Sequence, residues 1–297
     1  MRMTTGGLLA AIVASASCGT EPSTSTLIAR ETAATSGAST LDPPIPPVAP
    51  AATLAATRAV AGARVTAARV AGAKQVGYYD MTTASGQPYQ VTPITAAGAT
   101  AINITDPSSS QLANLNVLWV NNPDNGGYSS PYIARLTDIA AAVQAGMVLV
   151  IHDRFVSGAA GILPGGGGFS VNRDFAEGAD INLRDTSTPI TVGLTDASLD
   201  GGSASSHGFT LDSTLPATAK LPLTATTPSH IVTFCYPVGL GAVIYSTIPL
   251  DFYMQNQGNP QLNANMDTIY APNVVTYAIA GACSQQVVIS GPRPTPN

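Results

Sequence analysis

Hydrophobic positions fall into short apolar runs, separated by polar and glycine-rich stretches. Gln75 to Asp80, Ala101 to Asp106, Val117 to Asn121 and Met147 to Ile151 each read as a strand. The run at 117–121 is apolar on nearly every residue, as expected of a strand buried on both faces of a sheet. Between the last two strands lies the clearest predicted helix, Pro131 to Ala145. Ile133, Leu136, Ile139, Ala140 and Val143 recur there at helical spacing. Ser129 or Ser130 can cap this helix, Pro131 suits its first turn and Gly146 stops it. Strand, helix and strand in this order make one βαβ unit, the building block of a parallel sheet with helices on its faces. The unit ends in His152-Asp153-Arg154. In open α/β folds the functional crevice lies at the carboxyl ends of the strands, so this triplet marks where function would sit.

Beyond the unit the pattern is less regular. Gly158 to Phe169 (GAAGILPGGGGF) reads as a flexible connection, and its four glycines lack the Gly-Lys-Ser/Thr of a phosphate loop. Ile231 to Cys235 and Ala242 to Thr247 read as two late strands around the turn at 237–241. Asn273 to Ala280 is a final helix or strand.

The amino terminus carries a different pattern. One Arg, the short apolar run Leu8 to Ala14 and small residues at 15–17 form the three regions of an export signal, too short to span a bilayer. Cys18 follows directly, which resembles the lipobox of bacterial lipoproteins, although Ser15 stands where that box usually has Leu. Residues 1–18 are therefore predicted as a signal peptide, with ordinary secretion as the alternative to lipidation of Cys18. Residues 19–73 are rich in Ala, Pro and Thr, a composition that cannot bury enough apolar surface to offset its ordering entropy. They are predicted as a disordered tether, which behind a lipidated Cys would lift a domain off a membrane. The folded domain is placed at 74–284, and a tail at 285–297.

Only 10% of residues are charged, which suits an exported or surface protein. Residues 75–297 hold six basic against fourteen acidic side chains, a net of −8. Such a body argues against nucleic acid, whose phosphates need clustered Lys and Arg. With Cys18 lipidated, Cys235 and Cys283 remain as a pair, either a disulfide of an exported protein or two buried thiols.

Three phrases carry a family resemblance: the strand-helix-strand with AAVQAGMVLVIHD, Thr188 to Leu194 (TPITVGL), and Tyr236 to Thr247 (YPVGLGAVIYST). In this order they are similar to the trehalose-utilisation branch of the class I glutamine amidotransferase-like superfamily, over about residues 75–280. The resemblance implies an α/β, flavodoxin-like three-layer sandwich with a mainly parallel central sheet. The family's nucleophile is a Cys in a Gly-x-Cys-x-Gly turn, and here the corresponding strand runs into His152-Asp153-Arg154 instead. The branch's late Gly-His is replaced by Ile248-Pro249-Leu250-Asp251. Glutamine hydrolysis is not expected of this chain.

Asp80, Asp106, Asp124 and Asp153 each fall at or just past a predicted strand's carboxyl end, so a parallel sheet would bring them to one rim. With Asn122, Arg154 and Asp251 they form a candidate binding site for a sugar. Asp80, Asp106 and Asp153 are the candidate ligands of a hard cation, calcium or magnesium. The plainer reading is that Asp forms turns and caps helices at strand ends. His152, oriented by Asp153 or Asp80, is the candidate general base. Ser157, Ser203, Ser205 and Ser206 lack the spacing of a known nucleophile elbow, and His207 and His230 read as loop histidines. Two functions follow as expectations. One is an exported, membrane-anchored, non-catalytic module that binds a carbohydrate or protein partner. The other is a hydrolase acting on a sugar or ester with His152 and the rim carboxylates.

Overall fold

The computed structural model describes residues 74–284. Cys18, the predicted signal peptide, the tether at 19–73 and the tail at 285–297 lie outside the described residues.

The first half alternates strand and helix: β1 (Gln75–Asp80), α1 (Val91–Ala96), β2 (Thr100–Asn103), α2 (Ser109–Leu112), β3 (Val117–Asn122), α3 (Ser130–Ile133), α4 (Leu136–Gln144) and β4 (Val148–Asp153). The second half begins with α5 (Ala159–Ile162), β5 (Val171–Arg173), β6 (Asn182–Leu183), β7 (Gly208–Leu211), β8 (Lys220–Thr224), β9 (His230–Val238) and β10 (Gly241–Ser246). It ends with α6 (Leu250–Met254), α7 (Pro260–Asn265), a π turn at Met266–Tyr270 and α8 (Ala271–Ile279).

All ten strands join one sheet, in the order β2-β1-β3-β4-β10-β9-β7-β5, with β8 also on β9 and β6 on β8. From β2 to β10 every pairing is parallel. This is the flavodoxin-like 2-1-3-4-5 arrangement, with β10 as the fifth strand. The chain moves one way from β1 to β2 and the other way from β3 to β4. Right-handed crossovers then put the intervening helices on opposite faces. Accordingly Ile94 of α1 joins the core that α8 covers, whereas Ile139 and Val143 of α4 join the core on the other face. Both cores are continuous, so β3 and β4 are buried along their whole length.

The expectation of a mainly parallel sheet needs correction: the strands beyond β10 are all antiparallel. The cause lies in the link between β9 and β10. Val238 pairs with Gly241, which leaves a two-residue turn, and such a turn can join only antiparallel neighbours. Gly239 takes a φ of 59° at the first turn position, as a hairpin of this length requires. Gly241 is needed for a second reason. A Cβ there would fall 2.2 Å from the Met147 carbonyl oxygen and 2.4 Å from that of Val143, so the hairpin could not seat against the α4–β4 corner.

Two further expectations shift. The helix predicted over 131–145 is interrupted at Ala134 and Arg135, where the Arg135 amide turns back to the Tyr132 carbonyl. The second strand ends at Asn103, three residues short of Asp106. At the other end of the chain, Pro272 has no N–H to give Thr268 and its ring crowds that carbonyl. The ladder widens there into the π turn, with the Ala271 amide bonded to the Met266 carbonyl. Cys235 on β9 and Cys283 just beyond α8 form a disulfide, with Cα atoms 6.0 Å apart.

Candidate functional site

Strand register decides what the carboxyl rim can assemble. Asp80 pairs with Asn121, Asn121 with His152, His152 with Ser246, and Ser246 with Thr233. Five adjacent strands thus place a polar side chain at one level. The even-numbered Val76 of β1 and the odd-numbered Val117 and Trp119 of β3 belong to the core under α8, and the polar row continues that same face. Asp153 pairs one position further along, with Asn122, and therefore points to the opposite face with Leu149 and Ile151. Asp80 and Asp153 are on the two sides of the sheet.

The polar row is buried and internally bonded. Trp119 Nε1 donates to His152 Nδ1 at 3.2 Å, and His152 Nε2 meets the Tyr270 hydroxyl at 3.3 Å. An indole N–H can only donate, so Nδ1 is the acceptor and the imidazole proton resides on Nε2. The Tyr270 hydroxyl accepts a hydrogen bond from Nε2 and donates one to Ser246 Oγ at 3.2 Å, and Ser246 also bonds Thr233 at 2.8 Å. Burial, with no carboxylate touching the ring, pushes the His152 pKa down to about 3. The imidazole is neutral and both its nitrogens are occupied, whereas a general base at this position would need one nitrogen open toward a substrate. The π turn delivers Tyr270 to this contact.

At the β1 end of the row, Asp80 Oδ1 accepts from the Thr82 and Thr83 amides at 2.9 and 3.3 Å. Its Oδ2 accepts from the Tyr89 hydroxyl at 2.9 Å. Tyr89 lies on the Pro88–Gln90 turn and also receives a long bond from Asn121 Nδ2 at 3.4 Å. Helix α6 packs against both β3 and this turn, which brings Asp251 to the same corner. Arg154 holds the Asp251 carboxylate with two parallel bonds, one of them 3.0 Å from Nε to Oδ1. Burial raises the Asp251 pKa, an effect the Arg154 pairing opposes and the Asp80 charge reinforces. The guanidinium also lies 5.4 Å from the centre of the Phe252 ring.

On the opposite face Asp153 is the centre of a closed knot. Its Oδ1 accepts from Asn122 Nδ2 and the Phe155 amide, each at 2.9 Å. Its Oδ2 accepts from the hydroxyls of Tyr128 at 2.7 Å and Tyr245 at 2.9 Å. Four donors satisfy a fully buried carboxylate. The knot also fixes the chain as it leaves β4. Val156 there is buried at a φ of 61°, a conformation that β-branched residues avoid and that surrounding contacts must enforce.

The other predicted residues go elsewhere. Asp106 is half exposed and makes a two-bond pair with Arg135, at 2.6 and 2.8 Å. Asp124 is exposed and accepts from the Gly126 amide at 2.7 Å, an ordinary turn contact. Asp80, Asp106 and Asp153 are therefore not brought together. Among the described residues, no three His, Cys, Asp or Glu side chains group as metal ligands. His207 Nδ1 donates to the Arg154 carbonyl at 2.9 Å, and burial lowers its pKa. His230 bonds Glu177 at 3.0 Å and stacks on Phe209. Ser205 Oγ accepts from the Gly202 amide at 3.2 Å.

Tyr89, Asn121 and Tyr270 complete this region, and sequence reasoning did not select them. For Tyr270 the available signal was Pro272, a proline inside a helical pattern. For Asn121 it was a polar residue closing a run otherwise apolar throughout.

No protein-family model matches the chain, and no curated protein matches it. Among solved structures it is similar to a cytoplasmic protein from Salmonella typhimurium, at 12% identity and a TM-score of 0.45, covering 68% of this chain and 98% of that one. It is also similar to an exo-β-1,4-mannosidase from an Opitutaceae bacterium, at 13% identity and a TM-score of 0.42. That match covers 73% of this chain and 38% of the mannosidase. No helix among the described residues is long and apolar enough to cross a membrane.

Proposed function

We propose that this chain is an exported, lipid-anchored protein whose α/β domain is a non-catalytic relative of the amidotransferases. On this reading the domain binds a carbohydrate or protein partner at its carboxyl rim. The observation that carries it is the state of His152: neutral, buried, and bonded through both nitrogens to Trp119 and Tyr270. The Asp153 carboxylate is likewise saturated by four donors. With these partners neither His152 nor Asp153 is placed to act as the base for a nucleophile. The Cys235–Cys283 disulfide supports an oxidising compartment, and hence export. The sparse charge and the lipobox-like Cys18 support the same location.

Two measurements on the full chain test this reading. Calorimetric titration with sugars and envelope polysaccharides should give saturable heat, while chromogenic glycosides and esters should turn over no faster than with the His152→Gln variant. Turnover in the wild type that His152→Gln abolishes would establish the hydrolase instead. Mass spectrometry of the protein extracted from a bacterial envelope should find Cys18 as a lipid-modified first residue. An intact residue 1 or an unmodified Cys18 would remove the anchor.

A further inference from the structure

The β1 end of the polar row lies at the point where the sheet's connections diverge. Asp80, the last residue of β1, and Asn121, the last but one of β3, lie on the two neighbouring strands that flank this switch point, the place where open α/β sheets receive ligands. Asn121 is fully buried, and its Oδ1 has no hydrogen-bond partner. The orientation of its amide follows from its neighbours. The Tyr89 hydroxyl gives its one proton to Asp80, so the Asn121 atom facing that hydroxyl must be a donor, namely Nδ2. The unpaired atom is therefore an acceptor, and leaving it unpaired costs about 1–3 kcal/mol.

The surroundings narrow what would satisfy it. The incoming group must donate a hydrogen bond. A divalent cation is disfavoured because the Arg154 guanidinium is already fixed on Asp251 at this corner. A neutral hydroxyl meets no such repulsion, and the Asp80 carboxylate keeps lone pairs for a second one. Tyr89, bonded to Asp80 and Asn121, and Phe252, against Arg154, are both partly exposed, and aromatic faces suit the apolar face of a sugar ring.

We infer that the β1–β3 switch point binds a sugar ring, with Asn121 Oδ1 accepting a ring hydroxyl and Tyr89 swinging off Asp80 and Asn121 to admit it. This rests on the carbohydrate arm of the proposed function. Tyr89 is the moving part because its hydroxyl bridges the two strand ends and its ring reaches the surface. Asn121 is a binding residue that stability alone does not explain: its weak 3.4 Å bond leaves half its amide idle.

The test uses the full chain with glucose, galactose, mannose and N-acetylglucosamine as probes, read by calorimetry and by NMR of the Asn121 side-chain amide. Wild type is expected to bind at least one probe, with the Asn121 amide resonances shifting on addition. Asn121→Leu is expected to keep or raise Tm and to lose about tenfold or more in affinity, the value of roughly one hydrogen bond. Unchanged affinity in Asn121→Leu, or sugar-induced shifts that leave the Asn121 amide still, overturns the site while the carbohydrate reading survives. Binding of none of the four probes by wild type overturns the inference and the carbohydrate arm together. The amide shifts report on the wild type, so the test holds even where the Leu variant does not fold.

Discussion

The two faces of the sheet carry two polar clusters of opposite character. Around Asp153 a full charge is buried, and every lone pair that points inward meets a donor. Along the row from Asp80 to Thr233 the buried groups are mostly neutral, yet one acceptor, Asn121 Oδ1, is left unpaired. A charge cannot be buried unmatched, so the first cluster had to be completed by the fold itself. An amide oxygen can be left unmatched at modest cost, and a fold retains that cost where something else benefits. The Asp153 face also holds unpaired hydroxyls, those of Tyr79 and Tyr132, but these lie within its apolar core, whereas Asn121 lies at the switch point between β1 and β3. The saturated cluster reads as architecture and the unsaturated one as a place for a ligand.

The comparison breaks most visibly at the knot. Asp153→Ala strands two tyrosine hydroxyls, an amide and a backbone N–H, and is expected to lose about 3–5 kcal/mol in urea denaturation. Asp153→Asn should recover part of this, because one oxygen still accepts. A smaller effect is expected from the disulfide on the face of the polar row. Cys283→Ser frees the end of α8 from β9 and should cost about 2–4 kcal/mol, and a reductant should bring the wild type to the same value. In the row, acid should act before any mutation does. The unfolded chain takes a proton on His152 below its ordinary pKa of 6.5, whereas the folded protein refuses it until about 3. Stability contributed by His152 is therefore complete above 6.5 and lost as the pH falls through that window. His152→Gln should flatten the slope of stability against pH there. The smallest effect on stability is expected from Asn121→Leu, which removes the unmatched acceptor and should leave Tm unchanged or slightly raised. A large loss of Tm in that variant would make Asn121 architectural too and erase the contrast between the faces.

Much of this fold was legible from periodicity. β1 has its predicted bounds, and β3 and β4 lie within a residue or two of theirs, because long apolar runs leave few alternatives. In the antiparallel half the β9–β10 hairpin was legible as two late strands around a turn, whereas β5, β6 and β7 are two to four residues long and too short to show a period. The supposed convergence of the aspartates failed for a more specific reason. β3 and β4 are buried on both faces, so their sequences lack the alternation that reveals which way a side chain points. Only the register shows that Asp80 aligns with His152 and not with Asp153. Asp106 was misplaced because β2 stops early, which leaves that residue free to meet Arg135 at the break before α4. The importance of His152 was visible from its position at a strand end. Its role was not, because its partners Trp119 and Tyr270 lie 33 and 118 residues away.

His152 is a locked, neutral part of the scaffold. Nitrogen-15 NMR of the histidine rings across a pH titration tests this most directly. One imidazole is expected in the Nε2–H tautomer, neutral from pH 6.5 down to about 3 in the folded protein. A ring at that position that gains its second proton near 6.5, with the protein still folded, would contradict it and return His152 to the role of a working base.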